Sequence, residues 1–278
     1  MNNHFGKNGL DETVAKLKHS GTAYAIATVV RTLASTAAKP GMKAVVLADG
    51  SFAGGWLGGS CVTAAVSKAA VVALKTKQSA LICLRPEELL ADADAEANNP
   101  LVKIARNGCP SKGSMDIFIE PVVPRPELVV YGSGPVALAF LKISTAFDFE
   151  VKQVSREVDD KIIEMLDNHT TDFSPSVDGN RERFVVIATQ GSDDFKSLKS
   201  ALTGHSSYIA FVGSRKKFES LHKKLKESGI GDNLIDNIRS PAGLDIKAIL
   251  PEEIALSIMA EIIQTRRNLG AEVGVVGA

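Results

Sequence analysis

Leu128-Val129-Val130-Tyr131-Gly132-Ser133-Gly134-Pro135-Val136-Ala137 decides the fold of the second half of this chain. Four residues fit for a buried strand run into a Gly-x-Gly turn, and Pro135 suits the first position of a helix. Strand, glycine turn and helix in that order are the setting of the G-x-G-x-x-A dinucleotide fingerprint. Outward from it, strands and helices alternate. Phe149–Val154, Arg183–Thr189 and Tyr208–Val212 read as further strands. Helices are expected at Pro135 to about Phe147, about Val158 to Leu166, Ser192–Leu202, and through Phe218, Leu221 and Leu225. That alternation predicts a parallel, doubly wound sheet of the Rossmann kind. A last helix runs from Pro251 to about Arg267, with Glu252 and Glu253 at its positive end and Arg266 and Arg267 at its negative end.

Upstream, Pro121-Val122-Val123-Pro124-Arg125-Pro126 is a stiff, extended stretch that no helix crosses. It divides the chain into a first domain at residues 1–121, a proline-rich linker at 122–126 and a Rossmann-like domain at 127–278. A length of 278 residues and 45% apolar content suit two such cores. The first domain reads as α+β. An amphipathic helix ends at Gly21, strands follow at Ala23–Val30 and Lys43–Leu47, and a helix covers about Val62 to Leu74. Strands at Ala80–Leu84 and Met115–Ile119 complete it, with a solvated acidic segment (Glu87, Glu88, Asp92, Asp94, Glu96) between them.

Thirty-two basic and 32 acidic residues leave no net charge, so no overall field holds the chain to nucleic acid or a membrane surface. No apolar run approaches the ~18 residues of a membrane span. Three cysteines cannot form a disulfide framework, and the five histidines lack zinc spacing. The first residues lack the apolar core of a signal peptide, so a cytoplasmic protein with reduced thiols is expected.

Gly54-Gly55-Trp56-Leu57-Gly58-Gly59-Ser60-Cys61 is the most unusual stretch. Four glycines in six residues carry an entropic cost that is tolerated where main chain approaches a ligand or adopts positive φ. A helix starting just after them would turn the N–H groups of Gly58, Gly59 and Ser60 toward an anion, with Cys61 beside it. A tight turn with a buried, inert cysteine fits the same residues. Residues 31–85 hold seven basic side chains against one acid, which agrees with an anion site. Arg31 and Lys39, in the polar loop after the first strand, are candidate phosphate contacts or ordinary solvated residues. Asn107-Gly108-Cys109-Pro110-Ser111-Lys112-Gly113 is a third glycine loop, in which Lys112 could contact an anion and Cys109 supply a second thiol. Cys83, in an apolar strand, reads as core.

In the second domain Gly132, Gly134 and Val136 belong to the fingerprint. The second strand ends in Ser155 and Arg156 where an acid would meet a ribose, which disfavours NAD and admits the 2′-phosphate of NADP or a vestigial site. Gly213 and Arg215 follow the fourth strand at the same sheet edge. Lys216, Lys217, Lys223, Lys224 and Lys226 read as a solvated helix face.

Together these stretches resemble the XdhC/CoxI family of maturation factors for xanthine dehydrogenase, carbon-monoxide dehydrogenase and related molybdenum hydroxylases. The likeness extends from about Ala25 to Arg267. It rests on Ala27-Thr28-Val29-Val30-Arg31, on Gly54 to Val62, on Asn107 to Asp116 (most similar to the CoxI-type branch), on Ala188-Thr189-Gln190-Gly191, on Phe211 to Arg215, on Pro241-Ala242-Gly243-Leu244-Asp245-Ile246 and on Pro251 to Ile258. Ser60 stands where relatives often carry another glycine. Thr63 replaces a frequent Glu, and Ala37-Ala38 replaces a Pro-Arg.

The resemblance implies an accessory factor that binds molybdenum cofactor (molybdopterin) and assists its sulfuration and insertion into an apo-hydroxylase without net turnover. Cys61 would be the contact to molybdenum or to a sulfur in transfer. A cysteine desulfurase is an implied partner, and a homodimer is expected. Two alternatives remain at this stage: an NADP-dependent oxidoreductase using the second domain, and a docking scaffold for a cysteine desulfurase that holds no cofactor.

Overall fold

A computed structural model of the chain describes residues 7–90, 102–108, 112–157, 159–174 and 181–275. The chain divides into two compact units, the first reaching Pro124 and the second running from Arg125 to Ala271.

The first unit opens with α1 (Lys7–His19), β1 (Tyr24–Leu33), β2 (Lys43–Leu47) and β3 (Phe52–Gly55). There follow α2 (Ser60–Thr76), β4 (Ala80–Arg85), β5 (Val102–Arg106) and β6 (Ser114–Val122). The six strands form one sheet in the order β3-β2-β1-β6-β4-β5. All neighbours are antiparallel except the parallel pair β4 and β5. Period-two alternation sends Ala25, Ala27 and Val29 of β1, Ile82 and Leu84 of β4, and Met115, Ile117 and Ile119 of β6 to one face. Helical spacing brings Val62, Val66, Ala69, Ala70 and Ala73 of α2 onto that face. Burying each large aliphatic there contributes roughly 1.5–3 kcal/mol. Cys83 is buried too, on the opposite face of β4.

The second unit contains β7 (Glu127–Tyr131), α3 (Pro135–Ser144), β8 (Glu150–Val154), α4 (Asp160–Ile163), β9 (Asn168–Thr170) and β10 (Arg183–Ile187). It continues through α5 (Asp194–Thr203), β11 (Tyr208–Phe211), α6 (Arg215–Glu227), α7 (Asp232–Ile235) and α8 (Pro251–Val275). The five strands are all parallel, in the order β11-β10-β7-β8-β9. This is the Rossmann-like arrangement. Each central strand is buried on both sides. Leu128, Val130, Phe184 and Val186 pack with Phe140 and Leu141 of α3 and Ile258, Met259 and Ile262 of α8. Val129, Tyr131, Val185 and Ile187 pack with Leu198 of α5 and Leu221 and Leu225 of α6. Two covered faces explain the unbroken apolar runs.

Some boundaries differ from the sequence reading. α3 stops at Ser144 rather than near Phe147. Ser144 and Thr145 there donate their hydroxyls to the carbonyls of Leu141 and Lys142, and the chain tightens into two short turns. α4 is a single turn, shorter than the expected helix. β3, β5 and β9 add strands that the sequence reading did not contain. Among the described residues no helix is long and apolar enough to cross a membrane.

Gly132 ends β7 at φ +118°, and a β-carbon there would lie 2.4 Å from the Ala188 carbonyl oxygen. Both the backbone angle and the neighbouring main chain require glycine. Gly132→Ala is therefore expected to lower stability by about 3 kcal/mol, measured as the shift of a urea unfolding midpoint at unchanged slope.

Candidate functional site

The pairing in the first unit sends every long polar loop to one end of its sheet. β1, β3, β4 and β5 all run in the same sense, antiparallel to β2 and β6. The loops leaving β1 at Leu33, β3 at Gly55, β4 at Arg85 and β5 at Arg106 therefore emerge together, where β6 and α2 begin. The contacts agree. A β-carbon built on Gly108 would lie 3.7 Å from the Cys61 sulfur. Gly113 packs directly on the Ser35 carbonyl, and Lys112 bridges to Ser35. Asn107 donates from its side chain to the Gly113 carbonyl (2.6 Å) and from its backbone to the Arg85 carbonyl (2.6 Å). Thus Arg31 near the end of β1, Cys61 at the start of α2 and Lys112 on the loop before β6 lie at the same end of the sheet. Cys109 lies outside the described residues.

Cys61 is exposed in the first turn of α2, not buried as the tight-turn reading required. Gly59 caps that helix at φ −76° without a side-chain cap, and a β-carbon on it would meet nothing within 4 Å among the described residues. The first N–H groups of α2 thus lack a side-chain acceptor at the cap, and no described residue crowds Gly59. Gly58 precedes it at φ +131°, a conformation that favours glycine. Trp56, next to this loop, is partly exposed.

Three of the cations here, Arg31, Arg85 and Lys112, already have carboxylate partners. Asp116, 5% exposed, accepts from Arg31 Nε (2.5 Å) through Oδ2 and from Arg85 Nη1 (2.5 Å) through Oδ1. Arg85 is buried as well, whereas the Arg31 side chain is 55% exposed. Lys112 sits at φ +49° and donates to Glu88. That bond holds the Glu88 carboxyl below its usual range and the Lys112 ammonium above its own. Lys39 is exposed. Among the described residues no group of three or more His, Cys, Asp or Glu could hold a metal ion.

A cavity of ≈ 390 Å³ opens at the carboxyl ends of β7, β8 and β10 in the second unit. Gly132, Ser133, Gly134, Ser155 and Arg156 line it, joined by Thr189, Gln190 and Asp193. Val136, Gly213 and Arg215 do not. Val136 packs into the core instead, and a β-carbon on Gly213 would strike the Phe211 ring at 2.4 Å. Arg156 reaches Asp193 at the start of α5 with both edges, Nε to Oδ2 (3.0 Å) and Nη2 to Oδ1 (2.8 Å). The guanidinium holds the Asp193 carboxyl below its usual range. Lys217, read from the sequence as solvated, instead reaches the buried carboxylate of Asp194 (2.6 Å).

Sequence reasoning missed Arg85, Asp116 and Asn107 as site residues, because their partners lie on strands far apart in the chain. It also missed Gln190, Asp193 and Asp194. The available signal was a strand ending in Thr-Gln-Gly before an acidic helix start.

Residues 17–85 match the family model described as the XdhC and CoxI family, and residues 128–262 match that of the XdhC Rossmann domain. An uncharacterized protein, YqeB, of Escherichia coli is 28% identical over 91% of this chain and 46% of its own length. A probable xanthine dehydrogenase subunit of Bacillus subtilis is 30% identical over 55% of this chain and 47% of its own. The chain thus spans about half the length of these curated relatives. A crystal structure of a xanthine dehydrogenase from Bacillus halodurans is 18% identical, with a TM-score of 0.45, over 92% of this chain and 95% of that one.

Asp116 holds one buried and one half-exposed arginine. Its loss removes a buried carboxylate that Arg85 engages in the interior, while the Arg31 half contributes little in solvent. Asp116→Ala is expected to destabilise the chain by about 3 kcal/mol or more, whereas Arg31→Ala should cost about 1 kcal/mol or less. Equal effects of the two variants in chemical unfolding would refute this division.

Proposed function

This chain belongs to the XdhC and CoxI family, and from that membership we propose that it is an accessory factor which carries molybdenum cofactor as cargo. In this reading it assists sulfuration of the cofactor and its insertion into a molybdenum hydroxylase of the xanthine dehydrogenase type. The observation that carries the proposal is the exposed Cys61 thiol, at an open, glycine-capped helix N-terminus where the polar loops gather.

The chemistry of the residues suits that cargo. A thiol is a soft donor, fit for molybdenum or for a sulfur in transfer. Backbone N–H groups at Gly59 and Ser60 suit anionic oxygens. Arg31, held through Nε by Asp116 but half exposed, and Lys39 supply cations for a pterin phosphate. The Bacillus subtilis relative, named as a probable dehydrogenase component, supports a dehydrogenase as the partner. A cysteine desulfurase as sulfur donor and a homodimeric carrier complete the proposal.

The test is the pterin and molybdenum content of the protein, purified anaerobically from a host that makes the cofactor. Wild type is expected to hold about one pterin per chain, and Cys61→Ser at least ~10-fold less, about 1.4 kcal/mol in affinity. A folded wild type free of pterin would overturn the carrier reading. Retention by Cys61→Ser would overturn the role of the thiol. Trp56, the single tryptophan, gives an independent signal, since cargo seated at the neighbouring loop should quench its fluorescence.

A further inference from the structure

The two units contain two helices with the same glycine cap. Gly59 caps α2 at φ −76°, ψ −172°, and Gly134 caps α3 at φ −74°, ψ 174°, neither with a side-chain cap. These angles suit any residue, so neither glycine is required by its own backbone. Their surroundings differ. Around Gly59 no described residue lies within 4 Å of a built β-carbon. At Gly134 a β-carbon would lie 2.5, 2.6 and 2.8 Å from Cδ, Oε1 and Nε2 of Gln190.

The second glycine of the dinucleotide fingerprint leaves room for main chain to approach a diphosphate at the helix N-terminus. In this chain the Gln190 carboxamide fills that room. The loop that carries it is held on both sides by one carboxylate. Thr189 Oγ1 and Gly191 N–H (3.0 Å) both donate to Oδ1 of Asp194, and Lys217 neutralises the other oxygen. Asp194 is 4% exposed, so this anchor is buried. With its neighbours drawn to one atom, Gln190 arches over at φ +54°, a left-handed conformation uncommon for a residue with a β-carbon. The glycine loop opposite is equally fixed, because the buried Gln153 donates Nε2 to the Gly132 carbonyl (2.9 Å). The Arg156–Asp193 pair then joins the loop after β8 to the start of α5 at the same cavity.

We propose that Gln190 is the specificity-determining residue of this cavity. Its carboxamide occupies the diphosphate position at the α3 N-terminus and excludes dinucleotides, and its removal admits them. The cavity that remains, ≈ 390 Å³ and lined by Ser133, Ser155, Thr189 and Ser192, lies at the small end of the ~300–1,000 Å³ typical of ligand pockets. This inference concerns the second unit alone and does not rest on the carrier reading of the first.

The experiment titrates NADH and NADPH, by their fluorescence, into wild type, Gln190→Gly and Gln190→Asn. Both substitutions tolerate a left-handed backbone and keep the Asp194 anchor, so both should fold, which thermal unfolding checks. Affinity for at least one dinucleotide is expected to rise ~10-fold or more in both variants. Adding Gly134→Ala to Gln190→Gly puts a methyl group on the diphosphate path and should abolish the gain. Equal binding by wild type and the single variants overturns the proposal. So does absence of binding from all of them, because the exclusion then lies elsewhere. A gain that survives Gly134→Ala also overturns it, since the ligand would then sit away from the α3 N-terminus.

Discussion

The first unit depends on the antiparallel ladder between β1 and β6. It is the central pairing of the sheet, with β2 and β3 attached on one side and β4 and β5 on the other. It also carries a bulge. Val29 opposes Ile117 and Arg31 opposes Asp116, leaving Val30 as the extra residue. Before the bulge, the even-numbered residues Ile26 and Thr28 share a face with Glu120 and Phe118. After it the parity is reversed, and Arg31 comes to the face of Asp116. In a regular register Val30 would oppose Asp116, and Arg31 would oppose Met115 on the helix-covered core face. The bulge thus brings Arg31 to the carboxylate that Arg85 also engages.

The second unit reaches a comparable result by parallel pairing. Its loops share an edge because every strand runs the same way, and the glycine turn after β7 lies where neighbouring connections leave on opposite faces. Here the fixed point is a side chain, the buried carboxylate of Asp194. It accepts from Thr189 and Gly191 and is matched by Lys217. A lysine from α6 therefore sets the path of the loop after β10, and that loop in turn sets what stands over the α3 N-terminus.

What the sequence made legible was local. Leu128 to Ala137 declares strand, turn and helix through neighbouring residues, and Ser60 to Thr76 declares a helix through the spacing of Val62, Val66 and Ala70. β3 escaped because two of its four residues are glycine, and its strand character comes only from pairing with β2. β9 has three residues, too few for periodicity to register. β5 alternates Val102 and Ile104 with Lys103, but its parallel partner β4 is the element that makes it a strand. The candidate site divides in the same way. The glycine loop and Cys61 stand out by composition, whereas Arg85 and Asp116 acquire meaning only when strands 31 residues apart are paired.

Charge alone would have misdirected the reading of both sites. The cations that seemed available for phosphate, Arg31, Lys112 and Arg156, each have a carboxylate within hydrogen-bond reach, in Asp116, Glu88 and Asp193. An incoming anion must compete with these partners or accept what they leave. What separates the two sites is access to a helix N-terminus. α2 and α3 start from glycine caps of nearly identical geometry, so their intrinsic capacity for an anion is alike. Over α2 the cap is open and an exposed thiol stands in the first turn. Over α3 a carboxamide covers the cap and an ion pair joins the neighbouring loops. The glycine-rich turn that looks most like a ligand motif in the sequence is therefore the covered one. The site without a named motif is the one whose thiol is exposed and whose cap is clear of neighbours among the described residues.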